Sequence, residues 1–289
     1  MFREDDEDAQ FIDSEEEGDD VLGVPAGIPI EFTHYARKKA SELFKYAVEW
    51  SVQKLINPGF PSKDELYELS FRKLDDELKA LANSKFVSSV WKPDFTASLK
   101  SRPEIAFEAL EPEEVWMHPK CEACNRSNHP CTYQLQFQGK PYHPHTLEEV
   151  APDEDDDDEN DDSASDEQQS DDDDQPAYDY RGNEVPPASK IYFVGKFCMA
   201  NAETGHALQH WRFHLNEWIV MWLISHGYMT NEKIVKREKQ STRKRKKEAN
   251  KITDRMEKEG EIRRLWHEFK KNSSEARSSK QGRYLPEDY

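Results

Sequence analysis

Residues 201–227, NAETGHALQHWRFHLNEWIVMWLISHG, decide the fold. Leu208, Trp211, Leu215, Trp218 and Trp222 recur at steps of 3, 4, 3 and 4, which sets five large apolar side chains on one face of a helix. The stretch predicts a helix from Asn201 to His226 with Gly227 at its C-cap. Aromatic residues at this spacing bury against other helices, so the stripe reads as core rather than as a ligand surface.

Working back toward the N-terminus, the same periodicity predicts a helix over residues 33–56, stopped by Asn57-Pro58-Gly59. A second helix opens with a capping box, Ser62 to Glu65, and carries the stripe Tyr67, Phe71, Leu74, Leu78 and Leu81. A third is expected near residues 94–102, ended by Pro103. Helical periodicity then stops. Tyr133, Leu135 and Phe137 alternate with Gln134, Gln136 and Gln138, followed by the turn Gly139-Lys140-Pro141, so a small hairpin is expected there. Residues 190–198, KIYFVGKFC, read as another strand. Beyond Gly227 a charged helix is expected from Asn231 to about Lys271, broken near Gly260.

Charge is distributed unevenly. The 289 residues carry a net charge of −19, but residues 1–20 hold 11 acidic residues against one basic, and residues 153–174 hold 15 acidic residues and no basic one. The rest of the chain is therefore mildly basic, and residues 233–271 concentrate 16 Lys/Arg against 7 Asp/Glu. Residues 1–22 read as a disordered acidic leader and residues 151–188 as a disordered acidic insert within one folded domain, 23–285, whose basic helical tail is 231–285. The N-terminus has no signal-peptide pattern, and no run approaches a membrane span. Neither a membrane nor a small-molecule substrate is an expected partner.

Four cysteines without a secretory signal point to metal ligands or reduced thiols. Cys121-Glu122-Ala123-Cys124 can turn two thiolates toward one tetrahedral ion. Cys198 ends the strand before the strongest helix, and His206 and His210 lie one turn apart on that helix. The preferred set for a structural zinc is Cys121, Cys124, Cys198 and His206, with His210 as the alternate. A local set using His129 and Cys131 competes with it. The fold class is accordingly mainly α, with a small treble-clef-like zinc-knuckle hairpin.

Enzymatic motifs fail one by one. His206-Ala207-Leu208-Gln209-His210 has the spacing of a zinc-protease helix, but Ala207 stands where the general-base glutamate belongs. A treble-clef nuclease would need His210 or His214 beside an open metal position, and nothing selects either. The expectation is a non-enzymatic protein. Arg243-Lys244-Arg245-Lys246-Lys247 reads as a nuclear localisation signal or, alternatively, as a nucleic-acid contact. Ser14, Ser163 and Ser170 each have an acidic residue three positions downstream, which suits an acidophilic kinase.

The segments GKFCMANAETGHALQHWRFHLNEW, KCEACNRSNHP, SKFVSSVWKPDF and EKQSTRKRKKEANKITDRMEKEGEI resemble fungal nuclear proteins of the domain-of-unknown-function family 4211. A related domain occurs in vertebrate glutamine/serine-rich and proline-rich chromatin-associated proteins. The resemblance covers most of residues 22–285. It implies nuclear residence and a chromatin or transcription context, and the acidic tract at 153–174 suits basic partners, so the expected partners are nuclear proteins such as histones or chromatin complexes. It also implies Cys121, Cys124, Cys198, His206 and His210 as metal candidates, with Cys131 less typical of the pattern.

Overall fold

The computed structural model describes residues 29–127, 130–150 and 177–278. The acidic leader, most of the acidic insert, His129, Ser14, Ser163 and Ser170 lie outside the described residues. Contacts divide the chain into two units, residues 1–38 and 39–289. The described part of the first unit is a pair of 3-10 turns, Ile30–Phe32 and His34–Arg37. Thr33 joins them, donating its hydroxyl to the Ile30 carbonyl (2.7 Å) and accepting the Tyr35 N–H (3.3 Å).

The second unit is mainly helical with a small antiparallel sheet. Helix α1 spans Ala40–Ile56 and α2 spans Glu65–Leu81. The α2 cap is Asp64, whose carboxylate accepts the Leu66 N–H, and not the expected Ser62 box; an anion at a helix start outcompetes a more distant hydroxyl. A π-turn at Ala82–Phe86 leads on to α3 (Pro93–Ser101), which has proline in its first turn. Strand β1 (Glu104–Ala109) and the single turn α4 (Pro112–Val115) precede β2 (Tyr133–Gln138). Strands β3 (Ala177–Tyr178) and β4 (Glu184–Val185) form a small ribbon before β5 (Ile191–Val194). The rest is helical: α5 (Lys196–Gln209), α6 (Trp211–Ser225), α7 (Asn231–Glu238), α8 (Thr242–Lys258) and α9 (Glu261–Ser278).

The strand at 133–138 is present, but its partners differ from those expected. It lies at the centre of the sheet order β1-β2-β5, opposite Glu104–Ala109 on one side and Ile191–Val194 on the other. Gly139, at φ +80°, turns the chain away, and Pro141 has no N–H to continue a ladder. The insert also ends earlier than its composition implied. Residues 177–188 are folded, with Val185 and Ala188 buried and the Pro186 carbonyl gripped by Arg102 Nε and Nη2.

Two apolar clusters share α5. One gathers Phe44, Val48, Phe71, Leu74, Leu208, Trp211, Leu215 and Trp222 with Ala249, Ile252, Met256, Leu265 and Phe269. The tryptophan stripe is thus core, as its spacing predicted, although Trp218 is only half-buried. The charged tail packs back on the body through α8 and α9 and breaks at Gly260, which takes φ +83°. The second cluster holds Trp91, Phe95, Leu99, Leu135, Phe137, Tyr192, Met199, Cys121 and Cys131, with Cys124 and Cys198 partly buried against it. The long helix expected at 201–226 is two helices, since it starts at Lys196 and breaks at His210 (φ −100°, ψ 16°). A buried ion pair ties α2 to α6. Asp75 accepts from Arg212 through Nε (3.1 Å) and Nη2, from the Trp211 indole (2.9 Å) and from Lys79 (3.0 Å).

Candidate metal centre

Cys121 to Cys124 form a tight turn between Lys120 and Ser127, which pair across an isolated β-bridge. The Asn125 N–H closes onto the Cys121 carbonyl (2.8 Å), and the Cys121 N–H reaches the Arg126 carbonyl (3.1 Å). Asn125 makes the reversal by adopting φ 61°, the left-handed region that asparagine tolerates better than most residues. The turn is sewn to β5. The Glu122 N–H donates to the Phe193 carbonyl (2.9 Å), and the Phe193 N–H donates back to the Glu122 carboxylate (2.8 Å).

Beyond β5, Gly195 caps α5 and Cys198 sits in its first turn. This brings the Cys198 sulfur to the two sulfurs of the turn, and all three lie within 4.8 Å of one another. Sulfurs tetrahedrally bound at about 2.3 Å from one zinc stand roughly 3.8 Å apart, so the trio fits three ligands of one ion. Cys121 is buried, while Cys124 and Cys198 are half-buried.

The surroundings favour a thiolate at Cys121. A hydrogen bond from Cys198 pulls its thiol down to about 5, assisted by backbone N–H groups of Cys124, Gly195 and Ala123 and opposed by burial. Cys198 moves the other way, since it holds the proton shared with Cys121 and is itself half-buried, while the Trp91 indole N–H points at its sulfur. Cys131 is also close, but it is committed elsewhere. Its thiol donates to the carbonyls of Lys120 (3.3 Å) and Phe193 (3.2 Å), and burial pushes it up to about 11.

His206 is not a member of the sulfur cluster, which corrects the preferred ligand set, and neither is its alternate His210. Both rings turn instead to the open end of α3. His206 Nε2 meets the Arg102 carbonyl (3.0 Å), and His210 Nε2 meets the Leu99 carbonyl (2.8 Å). These are carbonyls that the last turn of a helix leaves without an internal donor. The Tyr142 hydroxyl meets His210 Nδ1 (2.7 Å); with Nε2–H donating to Leu99, Nδ1 must accept. The i, i+4 spacing correctly put both rings on one side, but that side is a helix end. Burial first of all holds His206 down to about 4 and His210 well below the usual histidine range. His214, on α6, contacts Glu217 at 3.3 Å.

Sequence reading missed Trp91, Asn125 and Gly195. Only the Gly195 position, just before a helix start, carried a local signal. The basic block Arg243–Lys247 occupies the first turns of α8; Arg243, Lys244, Lys246 and Lys247 are exposed, and Arg245 folds back onto the Gln240 carbonyl. Among the described residues no helix is long and apolar enough to cross a membrane.

Comparison with known proteins gives a family without an assigned function. The family described as "Domain of unknown function (DUF4211)" matches residues 10–147. An uncharacterized protein of Schizosaccharomyces pombe is 21% identical over 214 residues, which are 74% of this chain and 30% of the relative. The chain thus spans less than a third of that relative's length. No solved structure matches. The chain is similar to this uncharacterized domain over its N-terminal half and to the yeast protein over most of its length.

Proposed function

We propose that the chain is a non-catalytic interaction module of the nucleus, acting in chromatin or transcription, whose fold is stapled by one structural zinc ion. The observation that carries the reading is the sulfur trio: Cys121 and Cys124 precede the acidic insert, Cys198 follows it, and all three meet at one point. In this reading the 121–124 turn is a zinc knuckle and the first turn of α5 supplies the third ligand, in treble-clef fashion. The fourth donor is assigned to the stretch after the turn, to His129, or to Cys131 if it gives up its hydrogen bonds to the Lys120 and Phe193 carbonyls. Its flanks support this, since Ser127 pairs with Lys120 and the Pro130 carbonyl lies 3.7 Å from the Cβ position of Gly195.

Thiolate ligands suit a closed, structural site. The non-catalytic part of the reading is supported by the engagement of His206 and His210 with the end of α3. Nuclear residence is supported by the exposed basic block.

Elemental mass spectrometry of the purified chain tests the staple. One zinc per chain, lost in Cys121→Ser and in Cys198→Ser, is expected. Zinc that survives Cys198→Ser, or a chain that never carries zinc, refutes it. His129→Ala and Cys131→Ala, assayed alongside, assign the fourth ligand. Imaging a fluorescent fusion before and after neutralising residues 243–247 tests nuclear import separately.

A further inference from the structure

The inward side of α8 is fixed: Ala249, Ile252, Thr253 and Met256 are buried against the helical core. Gln53 of α1 clamps the same helix through the Lys246 carbonyl (3.4 Å) and the Asn250 side chain (2.6 Å). At 100° per residue, the side opposite this core carries Arg243, Lys244, Lys247 and Lys251, and all four are exposed. The run from 243 to 251 covers about 12 Å of a rigid axis at roughly 1.5 Å per residue. Acidic residues are kept off it: Glu248 points aside and is held by Arg237 (3.0 Å), and Asp254 ends the run. Lys236 and Lys239, in α7 and the link to α8, are also exposed, but Glu232 and Glu238 are exposed beside them.

This placement runs against local electrostatics. Cations near the start of a helix are disfavoured by its dipole, and α8 has no acidic residue in its first turn. A merely solvated face would gain from acidic residues there. The chain instead sets the exposed side chains of Lys244, Lys247 and Lys251 in a row on a helix held in place from behind, although the whole protein is at −19.

We propose that the outward face of α8 binds the phosphate backbone of a nucleic-acid duplex. Lys244, Lys247 and Lys251 are the principal contacts. No aromatic side chain lies among the cations on the α8 face to stack on a base, so the surface reads charge and spacing rather than sequence. The inference is independent of the zinc reading, because none of these residues belongs to the sulfur cluster.

The test is fluorescence anisotropy of the full chain with a labelled 20-base-pair DNA duplex and with an RNA duplex of the same length, across a salt series. Four to five phosphate contacts predict a slope of log K against log salt of about −4. The variant Lys244→Gln/Lys247→Gln/Lys251→Gln should lower affinity at least ~10-fold at 0.1 M salt and flatten the slope by about 3. Its melting temperature should be unchanged, since none of the three side chains touches the core. The control Lys63→Gln/Lys92→Gln/Lys100→Gln should bind like wild type. Because residues 153–174 carry 15 acidic residues that can compete for the same face, the series is repeated with that segment replaced by a neutral Gly-Ser segment of equal length. Binding in either chain that depends on the α8 lysines supports the proposal, and whether DNA or RNA is preferred identifies the duplex. No binding in either chain, or binding that survives the α8 variant, overturns it.

Discussion

Acid should unfold this protein through two histidines. His206 and His210 are buried and neutral, and each spends its Nε2 on a carbonyl at the end of α3. The folded state holds His206 at about 4, against 6.5 for an ordinary histidine. The unfolded chain therefore takes up this proton first, and stability falls as pH drops. The contribution is fully present above pH ~6.5 and drains away toward pH ~4. At pH 5 the difference in proton uptake amounts to about 2 kcal/mol for His206 alone, with His210 shifting in the same direction. Urea titrations at pH 7.5, 6 and 5 measure this directly. Acid also displaces metal from thiolates, so the informative comparison is with His206→Gln, whose amide nitrogen takes the place of Nε2 and can still donate to the Arg102 carbonyl but does not titrate. That variant should lose about 2 kcal/mol less than wild type between pH 7.5 and pH 5. Equal pH dependence in the two proteins would refute the assignment of His206 as a neutral helix-end donor.

Three further outcomes follow from the packing. Asp75→Asn leaves the Arg212 guanidinium buried without its counter-charge, and should cost about 3 kcal/mol or more in a denaturant midpoint series. The double change Asp75→Leu/Arg212→Met should recover much of that loss. Gly139→Ala should destabilise by about 1–3 kcal/mol, because Gly139 sits at φ +80° and the new Cβ would stand 3.0 Å from Pro103 Cγ. Shortening the acidic segment 151–176 by half should change stability by only about 0.6 kcal/mol, since closure entropy depends weakly on loop length.

What the sequence disclosed was what lies within one turn or one strand. The Leu208–Trp222 stripe, the stops at Asn57 and Pro103, the break at Gly260 and the pairing propensity of Tyr133–Gln138 are all local, and they reappear in the fold. Errors arose wherever a second segment made the choice. Strand β1 was passed over because EIAFEA carries two glutamates among its apolar residues, and it is a strand only because β2 lies beside it. The break at His210 has no glycine or proline to announce it. The same limit governs the site. The spacing of Cys121 and Cys124 fixes their mutual geometry, and Cys198 at a helix start was identifiable, but a periodicity cannot say which of two facing partners a histidine will meet. His206 and His210 met α3.

The sulfur trio is better explained as a metal site than as packed thiols, on grounds of charge. Three backbone N–H groups and a neighbouring thiol converge on Cys121 and favour its thiolate. A buried thiolate is costly unless a cation answers it. Lys120 does not supply that cation by burial, since its side chain is exposed and only its backbone joins the turn. Cys198 keeps its proton chiefly because it donates it to Cys121, and burial adds to the effect. A divalent ion held by the three sulfurs would remove the conflict, taking them as anions and releasing the shared proton. The structure around the trio is consistent with such a load. Glu122 and Phe193 exchange two hydrogen bonds, Thr132 donates to Val194 (3.1 Å), and Trp91 meets Cys198, so the segments on either side of the insert are already held in register where the ion would join them. Metal binding should therefore add stability to a preformed corner of the sheet rather than create it, and the metal-free protein should lose the α5 start before it loses the tryptophan core.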